Sequence, residues 1–317
     1  EEFIAGWGQF LPFFIKDGVE VVNDAKGGRS SRLFINEGRF DNIEKNISAG
    51  DYLLIEFCHN DDASKEYKTM FNRLTPLGEP DSDGRFPIIP GEAMPKDYIP
   101  PEYIDALRKD ENVKDKQAVL DSVYKILESY PHDTYYPYSA DGSKGTYLWF
   151  LKQFVDMARE KGAVPVFVTA PARTVYDANG NIKDGAGLHG GNNFAYIRAM
   201  KQLGEEAKVP VIDLFAYSCG LYKQIGKEKI HWITSIKKGC NKGIWPDDFN
   251  SEMQKKETVS EDTHFNKYGA MLITQGLVKL IKESDSSQLD GLKGMLKNPD
   301  GIDIEKYVKK PLVFEEF

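Results

Sequence analysis

Three short stretches carry the residue types that acyl transfer uses. Gly27-Gly28-Arg29-Ser30-Ser31 is a glycine turn whose backbone N–H groups can face a developing negative charge. His59-Asn60-Asp61 offers a side-chain amide donor, and Glu261-Asp262-Thr263-His264 places two acids beside an imidazole. Paired N–H donors stabilise an oxyanion, while an imidazole oriented by a carboxylate takes a proton from a hydroxyl and returns it to a leaving group. Each stretch also has a plainer reading alone: Gly28 as a turn, Asn60 as a helix cap, His264 as a core histidine. Their order along the chain, and the sheet edge they share, favour chemistry over three coincidences.

Positioning them falls to β-rich runs that alternate with helical periods. Residues 19–25, 51–58, 163–170 and 209–214 are dense in Val, Ile and Phe and predict strands covered on both faces. Helices are expected over residues 7–15, 31–46, 147–161, 194–206 and 267–282, with Asn192 or Asn193 capping the fourth and Gly162 ending the third. Such alternation implies an α/β fold with parallel pairing and right-handed crossovers. The glycine turn then follows the first strand, the His-Asn-Asp turn follows the second, and the acid–imidazole stretch precedes the last helix. Ligands gather at the carboxyl ends of strands in open α/β sheets.

One stretch breaks the rhythm. Residues 64–144 are rich in proline, glycine and tyrosine around an expected helix at 112–130, and read as an insertion on the rim of a domain spanning 1–284. Tyr135, Tyr136, Tyr138 and Trp149 could present flat aromatic faces to a ligand or pack the insertion onto the core. Residues 285–317 read as an extension packed on that domain.

Composition narrows the partners. The 317 residues carry a formal net charge of −8 without a basic run, so neither nucleic acid nor an anionic membrane surface is expected as a partner. The longest apolar runs, 52–58 and 164–170, are far below the ~18 residues of a membrane span. Three cysteines leave one unpaired; Cys219 with Cys240 is a possible pair, and three buried thiols are the simpler expectation. The chain opens on Glu1 without a methionine, which suggests processing or a start within a longer protein.

Rival motifs are weaker. Gly185-Ala-Gly187-Leu-His-Gly190 is a literal dinucleotide-type glycine motif, with Asp213 where a ribose-binding acid would fall. The preceding strand, however, ends near Ala170, too far upstream to aim the glycine N–H groups at a pyrophosphate. His59-Asn60-Asp61-Asp62, His132-Asp133 and Asp262-Thr263-His264 lack zinc-site spacing, and Asp81-Ser-Asp83-Gly84 has its glycine too early for a calcium loop. No metal or cofactor is expected.

The blocks NDAKGGRSSRLFINEGRFDNI, GDYLLIEFCHND, VFVTAPART and EDTHFNKYGA, in that order, resemble the SGNH (GDSL) hydrolases. Within them they are most like rhamnogalacturonan acetylesterases and related pectin deacetylases. The resemblance covers most of residues 6–282 outside the insertion. It implies a flavodoxin-like three-layer α/β/α fold with strand order 2-1-3-4-5, and removal of acetyl groups from a pectin-derived oligo- or polysaccharide by a secreted or periplasmic serine esterase. Carried across by motif, Gly28 and Asn60 form the oxyanion hole and His264 is the base. The acid lies three residues before that histidine, at Glu261, with Asp262 as the alternative. Arg29, Arg173 and His189 are the expected substrate contacts.

Two positions depart from the family pattern. Cys58 stands where the family has glycine before His59. The family's nucleophilic serine lies in a Gly-Asp-Ser block upstream of the segment matching Gly6-Trp7-Gly8-Gln9, and none is present there. Either an upstream segment supplies that strand and serine, or the protein is a non-hydrolytic relative. The first is expected, because a missing central strand leaves its neighbours' buried backbone groups unpaired at about 1–3 kcal/mol each.

Overall fold

The computed structural model describes residues 4–62, 71–183, 194–236 and 260–308. The elements run α1 (Trp7–Phe10), α2 (Ser31–Asn36), α3 (Arg39–Asn46), β1 (Tyr52–Ile55), β2 (Met94–Pro95), α4 (Pro101–Lys109), α5 (Lys116–Glu128) and β3 (Thr134–Tyr135). They continue with α6 (Tyr147–Glu160), β4 (Val164–Val168), α7 (Ala195–Ala207), β5 (Val211–Ile212), α8 (Leu214–Ile225), β6 (Thr234–Ile236), β7 (Ser260–Phe265), α9 (Lys267–Glu283) and α10 (Asp290–Met295). The chain divides into two compact units, one of Lys26–Ala170 with Asp184–Val211, the other of Glu1–Ala25, Pro171–Lys183 and Ile212–Phe317.

The first unit is built on a parallel sheet. β1 pairs with β4 in the register Tyr52↔Val164 to Ile55↔Phe167, and β5 lines the far edge of β4, where the Phe167 N–H donates to the Pro210 carbonyl at 2.9 Å. Val166, Phe167 and Val168 are all fully buried, as a strand covered on both faces requires. α6 buries Leu148, Leu151, Val155 and Ala158 at helical spacing, each buried leucine contributing about 1.5–3 kcal/mol. Its Phe154 ring meets Phe34, Phe40 and Phe57 at centroid distances of 6.0, 5.0 and 5.3 Å. α6 ends as the sequence predicts, with Gly162 in the left-handed region at φ 75°.

Two expectations need correction. Residues 19–25 form no strand: they find no ladder partner among the described residues, and Val22 is 67% exposed. β-propensity alone does not make a strand when the hydrogen-bonding neighbour is lacking. Of the expected order 2-1-3-4-5, β1, β4 and β5 therefore fill the last three places. The single helix expected over 31–46 is two helices, because Gly38 takes φ 69° between them and a Cβ there would lie 2.5 Å from the Pro131 ring.

The 64–144 stretch supplies its own small core. β2 and β3 pair antiparallel, and α4 and α5 pack Leu107, Val123 and Leu127 against Leu33, Phe71, Tyr103, Tyr130 and Tyr135. The helix expected over 112–130 is α5, capped by Asp115, whose side chain accepts the Ala118 N–H at 2.9 Å.

In the second unit β6 and β7 form an antiparallel pair, Thr234↔Phe265, and α9 follows directly. The polar run Ser260–Phe265 gave no strand signal because its pattern is not apolar alternation. Leu289, Leu292 and Leu296 of the C-terminal stretch are buried, and an Ile15↔Leu296 bridge ties them to the N-terminal segment. Among the described residues no helix is long and apolar enough to cross a membrane.

Candidate active site

The Gly28 turn and the Asn60 turn belong to the first unit. Gly28 adopts φ 81°, open to glycine and strained for other residues, and its N–H makes no backbone hydrogen bond among the described residues. The Ser30 hydroxyl caps α2 by accepting the Leu33 N–H at 3.1 Å, which fixes where the turn ends and the helix begins. β1 stops at Ile55, and residues 56–60 leave the ladder and turn, so that Asn60 lies half-buried just beyond the strand. Its Nδ2 meets the Arg29 carbonyl at 3.4 Å and its Oδ1 accepts from Arg73 Nη1 at 3.4 Å. A guanidinium only donates, so Arg73 engages the amide oxygen and leaves the NH₂ group turned toward the glycine turn. Motif reading did not single out Arg73; it lies thirteen residues downstream in an irregular segment with no pattern to mark it.

Beneath these donors sits a buried polar knot. Ser31 donates both its backbone N–H (2.9 Å) and its hydroxyl (2.5 Å) to Asp61 Oδ1, and both residues are fully buried. Burial pushes the Asp61 carboxyl up to about 7, against the downward pull of Ser31, the Thr75 hydroxyl and the Arg32 charge. Arg32 is itself fully buried and donates to the carbonyls of Leu74, Tyr136 and Phe71, at 2.9, 2.7 and 3.1 Å. That burial lowers its pKa.

The expected substrate contact Arg29 is paired within its own unit. Its guanidinium makes a two-point pair with Glu37, at 3.0 and 2.8 Å, and also donates to the Gly27 carbonyl at 3.0 Å. The arrangement braces the turn that carries Gly28.

The histidine belongs to the second unit. His264 is exposed near the end of β7, and the next two residues, Phe265 and Asn266, are buried. Asn266 anchors the junction: its Oδ1 accepts the Gly269 N–H at 2.8 Å as the cap of α9, and its Nδ2 donates to the carbonyls of Trp232 and Thr234 at 2.7 and 3.1 Å. A Cβ on Gly269 would lie 2.0 Å from the Ile233 carbonyl oxygen, so only glycine allows this approach. Asp262, the alternative acid, is engaged with its neighbours. Its Oδ1 accepts the Thr263 hydroxyl at 2.8 Å and lies 3.6 Å from Arg173 Nη1, and the Asp262 carbonyl receives the Thr174 N–H at 2.8 Å. Arg173, the second expected substrate contact, is thus beside Asp262. His189 and the side chain of Glu261 lie outside the described residues.

Other expectations resolve simply. Tyr135 and Tyr138 are 2% and 6% exposed, so they pack the insertion and are not free to stack on sugar rings. Tyr136 and Trp149 are half-buried and meet edge to face at 5.3 Å. Asp213 caps α8, accepting the Ala216 N–H at 3.2 Å, which accounts for an acid at the strand end without a ribose. Gly185, Gly187 and Gly190 lie outside the described residues. Asp81 is a turn residue that accepts the N–H groups of Asp83 and Arg85 at 3.0 and 2.9 Å. His132 pairs with Asp41 at 2.6 Å on an exposed surface. Cys58 is buried; Cys240 lies outside the described residues.

No protein-family model matches the chain. It is 30% identical over 280 residues to the rhamnogalacturonan acetylesterase RhgT of Bacillus subtilis, covering 88% of this chain and 82% of that one. It is 28% identical over 279 residues to a probable rhamnogalacturonan acetylesterase, YesY, of the same organism, covering 88% and 83%. A shorter match, 48% identical over 59 residues, joins 19% of the chain to 23% of the rhamnogalacturonan acetylesterase of Emericella nidulans. Among solved structures, the Bacillus subtilis protein YxiM superposes with a TM-score of 0.51 at 18% identity over 91% of this chain. The chain spans about half of that structure, 52% of its length. The superposition bears on fold alone, and it agrees with the α/β class expected from the alternating pattern.

Proposed function

Because the chain belongs to the SGNH hydrolase family and is an esterase, we propose that it removes acetyl groups from rhamnogalacturonan-type pectin saccharides through a serine acyl-enzyme. The observation that carries the substrate is the 30% identity over 88% of the chain to a relative named for that activity. In this reading a serine oxygen bonds to the acetyl carbonyl carbon while His264 takes the hydroxyl proton. The Gly28 N–H and the Asn60 amide hold the oxygen on which negative charge develops. The bond to the sugar oxygen then breaks, and His264 returns the proton to that oxygen. Water repeats the sequence on the acetyl-enzyme and releases acetate. Glu261 orients the imidazole, with Asp262 as the alternative. No Gly-Asp-Ser triplet occurs within the 317 residues, so the attacking serine is not assigned to any of them.

The test is acetate release from acetylated rhamnogalacturonan, acetylated xylan and 4-nitrophenyl acetate. We expect kcat/KM on rhamnogalacturonan to exceed that on xylan by roughly tenfold or more, since a polar site discriminates among polar substrates. Equal rates on the two polysaccharides would overturn the pectin assignment. Saccharide binding without acetate release would identify a non-hydrolytic binding protein.

A further inference from the structure

We propose that Asp61 is the positioning residue of the oxyanion hole, holding the Gly28 and Asn60 turns in one register through a single oxygen that acts as a hydrogen-bond acceptor and not as an acid. The inference rests on the assignment of Gly28 and Asn60 as the oxyanion donors. Asp61 follows Asn60 directly, and Ser31 lies three residues after Gly28. The two Ser31 donors on Asp61 Oδ1, at 2.9 and 2.5 Å, therefore join the two turns through buried bonds. Residue 61 is held along its backbone as well: its N–H donates to the Cys58 carbonyl at 3.0 Å, and its carbonyl accepts the Thr75 N–H at 2.9 Å. The Gly28 turn cannot slide against Asn60 without stretching at least one of these bonds away from water, where unmet polar groups are costly.

The second carboxylate oxygen shows how the residue acts. Asp61 Oδ2 is buried and has no hydrogen-bond partner among the described residues. A proton relay needs a partner on each side of the acid, and a two-point charge clamp places donors on both oxygens. Asp61 has its donors on one. An amide keeps that oxygen and its geometry, so asparagine here can replace aspartate, whereas a side chain without the oxygen cannot.

The experiment compares Asp61→Ala, Asp61→Asn and Ser31→Ala on 4-nitrophenyl acetate and on acetylated rhamnogalacturonan, with Asn60→Ala as reference and thermal melting as the check on folding. Loss of donor alignment is felt only in the transition state, so the loss falls on kcat with KM within about twofold. We expect Asp61→Ala to lose about 10²-fold in kcat and Ser31→Ala about tenfold. Asp61→Asn should recover kcat to within about threefold of wild type. If Asp61→Ala does not fold, Ser31→Ala carries the test, because it deletes one hydroxyl and keeps the backbone bond. An Asp61→Asn variant as impaired as Asp61→Ala overturns the acceptor role. Effects confined to KM or to melting temperature overturn the positioning role. If Asn60→Ala is impaired while Ser31→Ala and Asp61→Ala are not, the proposal falls and the esterase reading stands. A wild-type protein that releases no acetate from any ester overturns that reading instead.

Discussion

The two regions that carry the candidate chemistry are held in opposite ways. Around Gly28 and Asn60 the support is a buried knot of Ser31, Asp61 and Arg32, all without solvent exposure. Around His264 the side chain is exposed on a short antiparallel strand, the neighbouring Asp262 is 46% exposed, and the buried anchoring begins only at Phe265 and Asn266. The difference suits the two tasks proposed for these regions. Donors to an oxyanion act through fixed dipoles and lose most of their effect if they must reorient, so rigidity serves them. A base that takes and returns a proton needs access to both reaction partners, and an exposed imidazole on an anchored strand is compatible with that proposed role.

The sharpest way to break the comparison is to remove one group from each region. His264→Ala should reduce hydrolysis of 4-nitrophenyl acetate to background while stability stays within about 0.5 kcal/mol, as for an exposed site. Asn60→Ala should lower kcat by about 10²–10³-fold with KM little changed. A His264→Ala variant within threefold of wild type would remove the histidine from the mechanism.

The acids of the exposed region come next. Asp262 already receives the Thr263 hydroxyl and lies beside Arg173, so Asp262→Asn should cost less than tenfold in kcat. Glu261→Gln should cost about 10²–10⁴-fold if it orients the imidazole. Kinetics of both variants on one chromogenic ester separate them; the reverse ranking moves the role to Asp262.

The anchor of the histidine strand is a stability feature. Asn266→Ala deletes the α9 cap and the side chain's bonds to the Trp232 and Thr234 carbonyls, for an expected loss of about 2–4 kcal/mol in urea unfolding. Gly269→Ala should be at least as damaging, because the added methyl group meets the Ile233 carbonyl backbone. Unfolding midpoints unchanged in both variants would mean that the β7–α9 junction is not held at Asn266.

The smallest effect sharpens the buried side. The Asp61 carboxyl stands at about 7 in the folded protein against an ordinary 3.8, because burial disfavours its charge. The protonated form is therefore favoured in the folded state. The stability this group contributes is complete below about pH 4 and is lost as the pH rises through about 7, by roughly 1.4 kcal/mol per pH unit at most. Asp61→Asn should flatten that part of the stability curve between pH 5 and pH 8, as read by urea unfolding at both values. An unchanged slope would assign the pH dependence to other groups.

Much of this was legible in the chain itself. Helical periodicity placed α5, α6, α7 and α9 to within a few residues, because each has one apolar face, and Gly162 marked the end of α6. Residues 163–170 announced a buried strand by being apolar without alternation. The glycine turn, Asn60 and His264 stood out because acyl transfer needs few residue types and these occur in the matching order. Residues 19–25 misled for the opposite reason: their β-branched content is a property of the segment, whereas a strand is a property of a pair.

What tertiary structure alone decided was which polar groups engage one another. Nothing in the chain marks the acids that meet Arg29 and Arg173; the fold brings Glu37 to one and Asp262 to the other. Tyr135 and Tyr138 read equally as stacking or packing residues until the fold buried both, Tyr135 in the core around α4 and α5. Arg73, Asn266 and the idle oxygen of Asp61 carry no local signature, because a hydrogen bond between distant residues depends on distance in space and not on spacing in the chain. Residue type and order determined which chemistry was available; burial and long-range contact decided which side chains were left to perform it.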